Sequence, residues 1–162
     1  MKTLIVYFSR GGTVEAVAER IRAELSASTQ LTVARIEPEK LRGYWGWLLR
    51  SFFPRSQVPI QLTITDLTPY DVICLGFPKW TYACPPVNQY LQEMENCETK
   101  DFALFMCHRG FDQNRYLKSM VKQVSSRGGQ VVATLAARQK AVLDGSYLES
   151  LLCFCDRIKL YL

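Results

Sequence analysis

Ser9-Arg10-Gly11-Gly12-Thr13 lies between a run of apolar residues and a segment with helical periodicity. A turn of that composition offers backbone N–H groups at a helix N-terminus, two hydroxyls and no bulky side chain. Unpaired amides and the helix dipole favour an anion there, and glycine lets the backbone wrap closely around it. The chemistry such a loop suits is phosphate binding. An ordinary glycine turn capped by Thr13 accounts for the same residues. The stretch matches neither G-x-x-x-x-G-K-[ST] nor G-x-G-x-x-G.

Two further stretches could do chemistry. LGFPKWTYACPPVNQYL, residues 75–91, sets Trp80 and Tyr82 beyond another apolar run and ahead of a proline-started helix. Large rings in that position are core plugs or a platform for a flat ligand. Cys107-His108-Arg109-Gly110 follows a third apolar run. His108, the sole histidine, can orient a ligand or donate a proton near neutral pH, and it can equally make a local hydrogen bond. His108 and Arg109 are therefore the catalytic candidates. Cys84, Cys107 and His108 could approach one another as metal ligands, but three groups on two loops make a weak case and no metal is expected.

These loops need elements to hold them. Residues 2–8, 71–77 and 101–107 read as buried strands, and 31–36 as an edge strand because it carries Arg35. A fifth strand falls at 130–135. Helical spacing runs from Val14 through Val17, Ala18 and Ile21 to Leu25. Pro85-Pro86 open a second helix bearing Val87, Tyr90, Leu91 and Met94. Leu117, Met120, Val121 and Val124 mark a third, stopped at Gly128-Gly129. Ser146 and Glu149 form a capping box ahead of a last helix with Leu148, Leu151, Leu152, Cys155 and Ile158. Strands alternating with helices predict a parallel sheet with helices on both faces, one domain over 1–162. In such sheets ligands sit at the carboxyl ends of the strands, where the three loops lie.

Bulk properties narrow the classes. With 48% hydrophobic residues the 162-residue chain is not disordered, and no apolar run is long enough to span a membrane. MKTLIVYF reads as the first strand rather than a leader, which predicts a cytoplasmic protein with six free thiols. Cys153 and Cys155 point about 200° apart on their helix and are core or surface thiols. The net charge of +5 favours anionic ligands.

A phosphate loop and an aromatic platform on neighbouring strands make the arrangement a flavin mononucleotide needs. YFSRGGTVEAVAERI is similar to the S-x-T-G-N-T phosphate loop of the flavodoxin family, and GFPKWTYACPPV resembles its G-x-P-x-W…PPV flavin loop. The resemblance implies a three-layer α/β fold with a five-stranded parallel sheet of order 2-1-3-4-5. It implies FMN, with Ser9, Arg10, Gly11, Gly12, Thr13 and Val14 around the phosphate. Pro78, Lys79, Trp80, Thr81 and Tyr82 would line the ring, and Cys107, His108, Arg109 and Gly110 would form the other wall. Lys79 and Arg109 would stabilise negative charge on the reduced ring.

Three departures bear on activity. Val14 stands where the family usually has a threonine. No glycine follows Gly76 in the flavin loop, whereas one-electron carriers often flip a glycine peptide there, and Tyr82 occupies roughly that place. Carrier flavodoxins are typically acidic, and this chain is basic. The first costs one phosphate hydroxyl contact; the other two favour an NAD(P)H:quinone reductase-like enzyme, a two-electron oxidoreductase acting on a quinone-like or small organic acceptor, although no NAD(P)H motif is visible. A one-electron carrier between protein partners and a non-catalytic flavin-binding module are the alternatives. No nucleic-acid partner is expected.

The remaining stretch, LRGYWGWLLRSFFPR over 41–55, is an aromatic and basic insertion containing Tyr44, Trp45, Trp47, Phe52 and Phe53 among Arg42, Arg50 and Arg55. Three readings fit it: a helical cover of the sheet edge or the flavin, a homodimer interface, and a surface that grips acidic lipid. In the first two it could also roof the site.

Overall fold

The computed structural model describes residues 1–40 and 43–162. Leu41 and Arg42 of the insertion, and the side chain of Tyr44, lie outside the described residues. The elements follow in the order β1 (Lys2–Tyr7), α1 (Thr13–Leu25), β2 (Gln30–Arg35), α2 (Tyr44–Ser51), β3 (Val72–Pro78), α3 (Pro85–Glu93), β4 (Asp101–His108), α4 (Gln113–Ser125), β5 (Gln130–Arg138), α5 (Gln139–Asp144) and α6 (Leu148–Lys159).

Five strands pair in parallel in the order β2-β1-β3-β4-β5, with Arg35 on the expected edge strand. β3 and β4 are covered on both faces, which is why they read as unbroken apolar runs. Successive side chains feed opposite layers. Ile73, Leu75 and Phe77, with Phe102, Leu104 and Met106, meet α3 and α4 through Val87, Tyr90, Met120 and Val124. Ile5, Cys74, Ala103 and Phe105 meet α1 and α6 through Val17, Ile21, Leu151 and Phe154. Gly76 is fixed by this packing, because a Cβ there would enter the ring of Phe105, its register partner on β4.

The insertion contains a regular helix, α2, in line with the first of its three readings, and a short α5 that was not expected precedes α6. The Ser146/Glu149 capping box does not form. Ser146 instead gives its backbone N–H (3.0 Å) and its hydroxyl (2.6 Å) to Asp144 Oδ1, and Tyr147 is the N-cap of α6. The turn at Gly145, with φ of 81°, closes α5 and directs the serine backwards.

The strand order reverses between β1 and β3, so the loops after these neighbours open side by side at one end of the sheet. Phe8 N–H donates to Gly76 C=O at 3.0 Å, and Lys79 N–H donates to Cys107 C=O at 2.8 Å. The three predicted loops are thereby stitched into one rim.

Candidate functional site

A cleft of about 740 Å³ opens at the carboxyl ends of β1, β3, β4 and β5. From the first loop Ser9, Arg10, Gly11, Thr13 and Val14 border it. Pro78, Lys79, Trp80, Thr81 and Tyr82 border it from the second, and Cys107, His108, Arg109 and Gly110 from the third. Gly12 lies just behind the lining as the N-cap of α1, with φ of 79°.

The first loop is built to leave donors open. The N-cap Gly12 has no side chain to satisfy the first amides of α1, and a Cβ on Gly11 or Gly12 would meet no atom within 4 Å. Ser9 is buried, and its hydroxyl has no partner among the described residues. A buried, unsatisfied hydroxyl costs on the order of 1–3 kcal/mol, which a ligand oxygen would relieve. Val14 turns its side chain into the core, so its amide is what it offers. Arg35 on β2 steadies the turn from behind, donating to Ser9 C=O at 3.0 Å and pairing with Glu15 at 3.4 Å. That pairing offsets the one carboxylate in the first turn of α1, which would otherwise oppose an anion.

Beside the turn the cleft has an aromatic wall. Trp80 meets Phe8 edge-on at 5.6 Å between ring centroids and Trp47 at 5.5 Å with the planes tilted by 44°. Trp47 is buried while Trp80 keeps part of its surface in the cleft. Trp80 is therefore anchored at one edge and open to the cleft at the other. The next turn is tied to α2: Ser51 Oγ lies 2.6 Å from Thr81 Oγ1, and Tyr82 N–H donates to Ser51 C=O at 2.8 Å.

The third loop is conformationally strained. Gly110, Phe111 and Asp112 have φ of 116°, 90° and 50°, and a phenylalanine at 90° is a real outlier. Phe111 stands almost fully exposed on the cleft rim, with Lys79 Nζ 5.8 Å from its ring centre. Arg109 Nε donates to Gln139 Oε1 at 2.8 Å. Burial pushes the Cys107 thiol up to about 12, so it stays neutral and unreactive.

His108 is buried with Nδ1 unpartnered, and burial together with Arg138 and Lys79 holds its pKa below the ordinary 6.5. The unfolded chain thus binds this proton more readily than the folded one. Stability contributed here rises with pH through the window just below 6.5 and is lost on acidification. His108→Gln should flatten the acid limb of thermal stability below about pH 6.5. An unaltered acid limb in that variant would refute the neutral-histidine assignment.

No family model matches the sequence. The chain superimposes on a flavoprotein in complex with FMN from Lactobacillus acidophilus with a TM-score of 0.71 and 22% identity, covering 89% of this chain and 97% of that one. It matches the two-electron reduced flavodoxin of Megasphaera elsdenii with a TM-score of 0.65 and 18% identity over 96% and 98% of the two chains. The chain has the flavodoxin-like fold. It belongs to one family with an uncharacterized protein of Archaeoglobus fulgidus, 33% identical over 113 residues that span 69% of each chain.

On this flavodoxin-like frame the cleft also gathers residues that reading the loops one by one does not reveal. Trp47, Leu48 and Phe52 of the insertion line it, so α2 covers the site. Phe111, Asp112 and Gln139 line it as well. Gln139 follows β5, and the strand-end rule applied to that strand would have found it, but β5 continues to Arg138 rather than stopping near 135. Among the described residues no cluster of histidine, cysteine and carboxylates could hold a metal.

Proposed function

We propose that the cleft binds FMN without a covalent bond, and that the protein is an electron-transfer flavoprotein reducing a quinone-like or small organic acceptor with NAD(P)H. The observation that carries the reading is the buried Ser9 hydroxyl, without a partner among the described residues, at an uncapped glycine turn in a cleft that Trp80 and Tyr82 also line. Both ends of a flat, phosphate-tailed ligand find matching chemistry. FMN supplies the redox chemistry when bound. Ser9, Thr13 and the first amides of α1 hold the phosphate, with Arg10 at the edge. Trp80 orients the ring by stacking, and Lys79 and Arg109 set positive charge on the rim. His108, held neutral by burial at the cleft lining, is the candidate to orient the substrate or donate a proton. α2 excludes water from one side, and the donor and acceptor use the remaining open face in turn. The absorbance spectrum of the protein titrated with FMN tests the cofactor, and quinone-dependent NAD(P)H oxidation tests the activity.

The tie between Ser51 and the flavin loop favours two-electron chemistry over the carrier alternative. Turning the Thr81–Tyr82 peptide would break the Tyr82 N–H bond to Ser51, a net loss of about 1 kcal/mol. A positive φ at a non-glycine residue adds roughly 1 kcal/mol more. Reductive titration of the FMN-loaded protein is therefore expected to pass from oxidised to fully reduced with less than about a tenth held at the one-electron level. Tyr82→Gly should raise that fraction. A native protein that holds most of its flavin at the one-electron level midway would be a carrier.

A further inference from the structure

The site makes use of only one side of α2. The outer surface of α2 and of the turn that follows it presents Trp45, Leu49, Phe52 and Phe53, 77%, 67%, 50% and 63% exposed. Trp45 and Leu49 stand one turn apart on the helix, and Phe52 and Phe53 extend the apolar patch past its C-terminus. Leu49, Phe53 and Pro54 share a shallow hollow with Arg50 and Arg55. Neither arginine has a carboxylate partner among the described residues. Between Glu39 and Asp66 the sequence has no acidic residue and four cations, Lys40, Arg42, Arg50 and Arg55.

From this surface we infer a membrane-docking site: the α2 patch inserts into the interface of an anionic phospholipid surface, with Arg50 and Arg55 on lipid phosphates. Eight residues make a helix of about 12 Å, far too short to cross a bilayer but suited to lying in its headgroup layer. Charge decides the occupant. A second copy seated face to face would set these cations against their own counterparts, with no carboxylate in either patch to offset them. A negatively charged lipid surface supplies that complement at every position. Phe52 belongs both to the patch and to the cleft lining, and its ring lies 6.4 Å from that of Tyr82. Docking by this face therefore brings the mouth of the cleft to the lipid interface, where apolar acceptors dissolve.

The inference stands apart from the cofactor reading, and the test keeps the two separate. The full chain is sedimented with phosphatidylcholine vesicles, with and without about one third phosphatidylglycerol, while FMN binding is followed by absorbance on the same preparations. The expected result is binding to the anionic vesicles that weakens as salt is raised, and little binding to phosphatidylcholine alone. Arg50→Gln with Arg55→Gln should lower partitioning about thirtyfold, the weight of two surface cations. Leu49→Ser with Phe53→Ser should lower it at least as far. None of the four lines the cleft, so FMN affinity should be unchanged in both variants. Absence of binding to anionic vesicles, or binding that both variants retain, overturns the inference. So does a stable dimer in solution that the same substitutions dissociate. Loss of FMN binding with lipid binding intact would instead count against the cofactor reading alone.

Discussion

Gly12→Asp is expected to weaken FMN binding at least a hundredfold, about 2.7 kcal/mol, while leaving the fold in place. The loss has two sources. Aspartate brings a negative charge to the turn that would hold the phosphate, and at roughly 4 Å the repulsion is about 1 kcal/mol in water and about 4 kcal/mol at the effective dielectric of a protein surface. Gly12 also has φ of 79°, so any side chain there adds backbone strain that a small shift of the turn would relieve at the expense of the amide cradle. The fold should survive, because a Cβ at Gly12 meets nothing within 4 Å and aspartate tolerates the left-handed region better than most residues. Gly12→Asn, similar in shape and backbone tolerance but uncharged, should lose much less. The ratio of the two affinities, measured by FMN fluorescence titration, reads the charge contribution directly. Equal affinity in Gly12→Asp and the native protein would reduce the loop to a simple turn.

What made this loop legible in sequence was that its chemistry is local. Ser9, Gly11, Gly12 and Thr13 are neighbours in the chain, and a strand entering a helix through glycines leaves few geometries. The sheet was legible for a related reason: β3 and β4 are buried on both faces, so their apolar runs are unbroken and of strand length. α2 was harder to read because its apolar residues do not share one buried face. Trp47 points inward while Trp45, Leu49 and Phe53 point outward, so periodicity gives no single stripe for a core helix. The failed capping box has a local competitor that the pattern ignores. Asp144, two residues earlier, takes the Ser146 hydroxyl in a tight turn, which required knowing that α5 ends at Gly145. Phe111 and Gln139 reach the cleft through a strained loop and the length of β5, and neither is written in the residues themselves.

Trp80 shows most clearly where the sequence runs out, since plug and platform were alternatives in sequence, whereas in space the ring packs at one edge and borders the cleft at the other. Its edge packs on Phe8 and Trp47, while its remaining surface faces the cleft. Trp80→Ala should therefore act twice. Losing the stacking surface should weaken FMN binding by roughly 1–3 kcal/mol and shift the flavin spectrum. Losing the packing should also lower the stability of the flavin-free protein, because Trp47 is buried against the ring that disappears. The second cost falls below the 3–5 kcal/mol typical of a fully buried tryptophan, since Trp80 is only half-buried. Trp80→Phe separates the effects: it retains an aromatic face for stacking but is too short to fill the whole gap beside Trp47. It should keep most of the FMN affinity and lose part of the thermal stability without flavin. A Trp80→Ala protein that melts lower but binds FMN with native affinity and spectrum would leave Trp80 as packing alone, and the flavin ring would then have to lie against another part of the cleft wall.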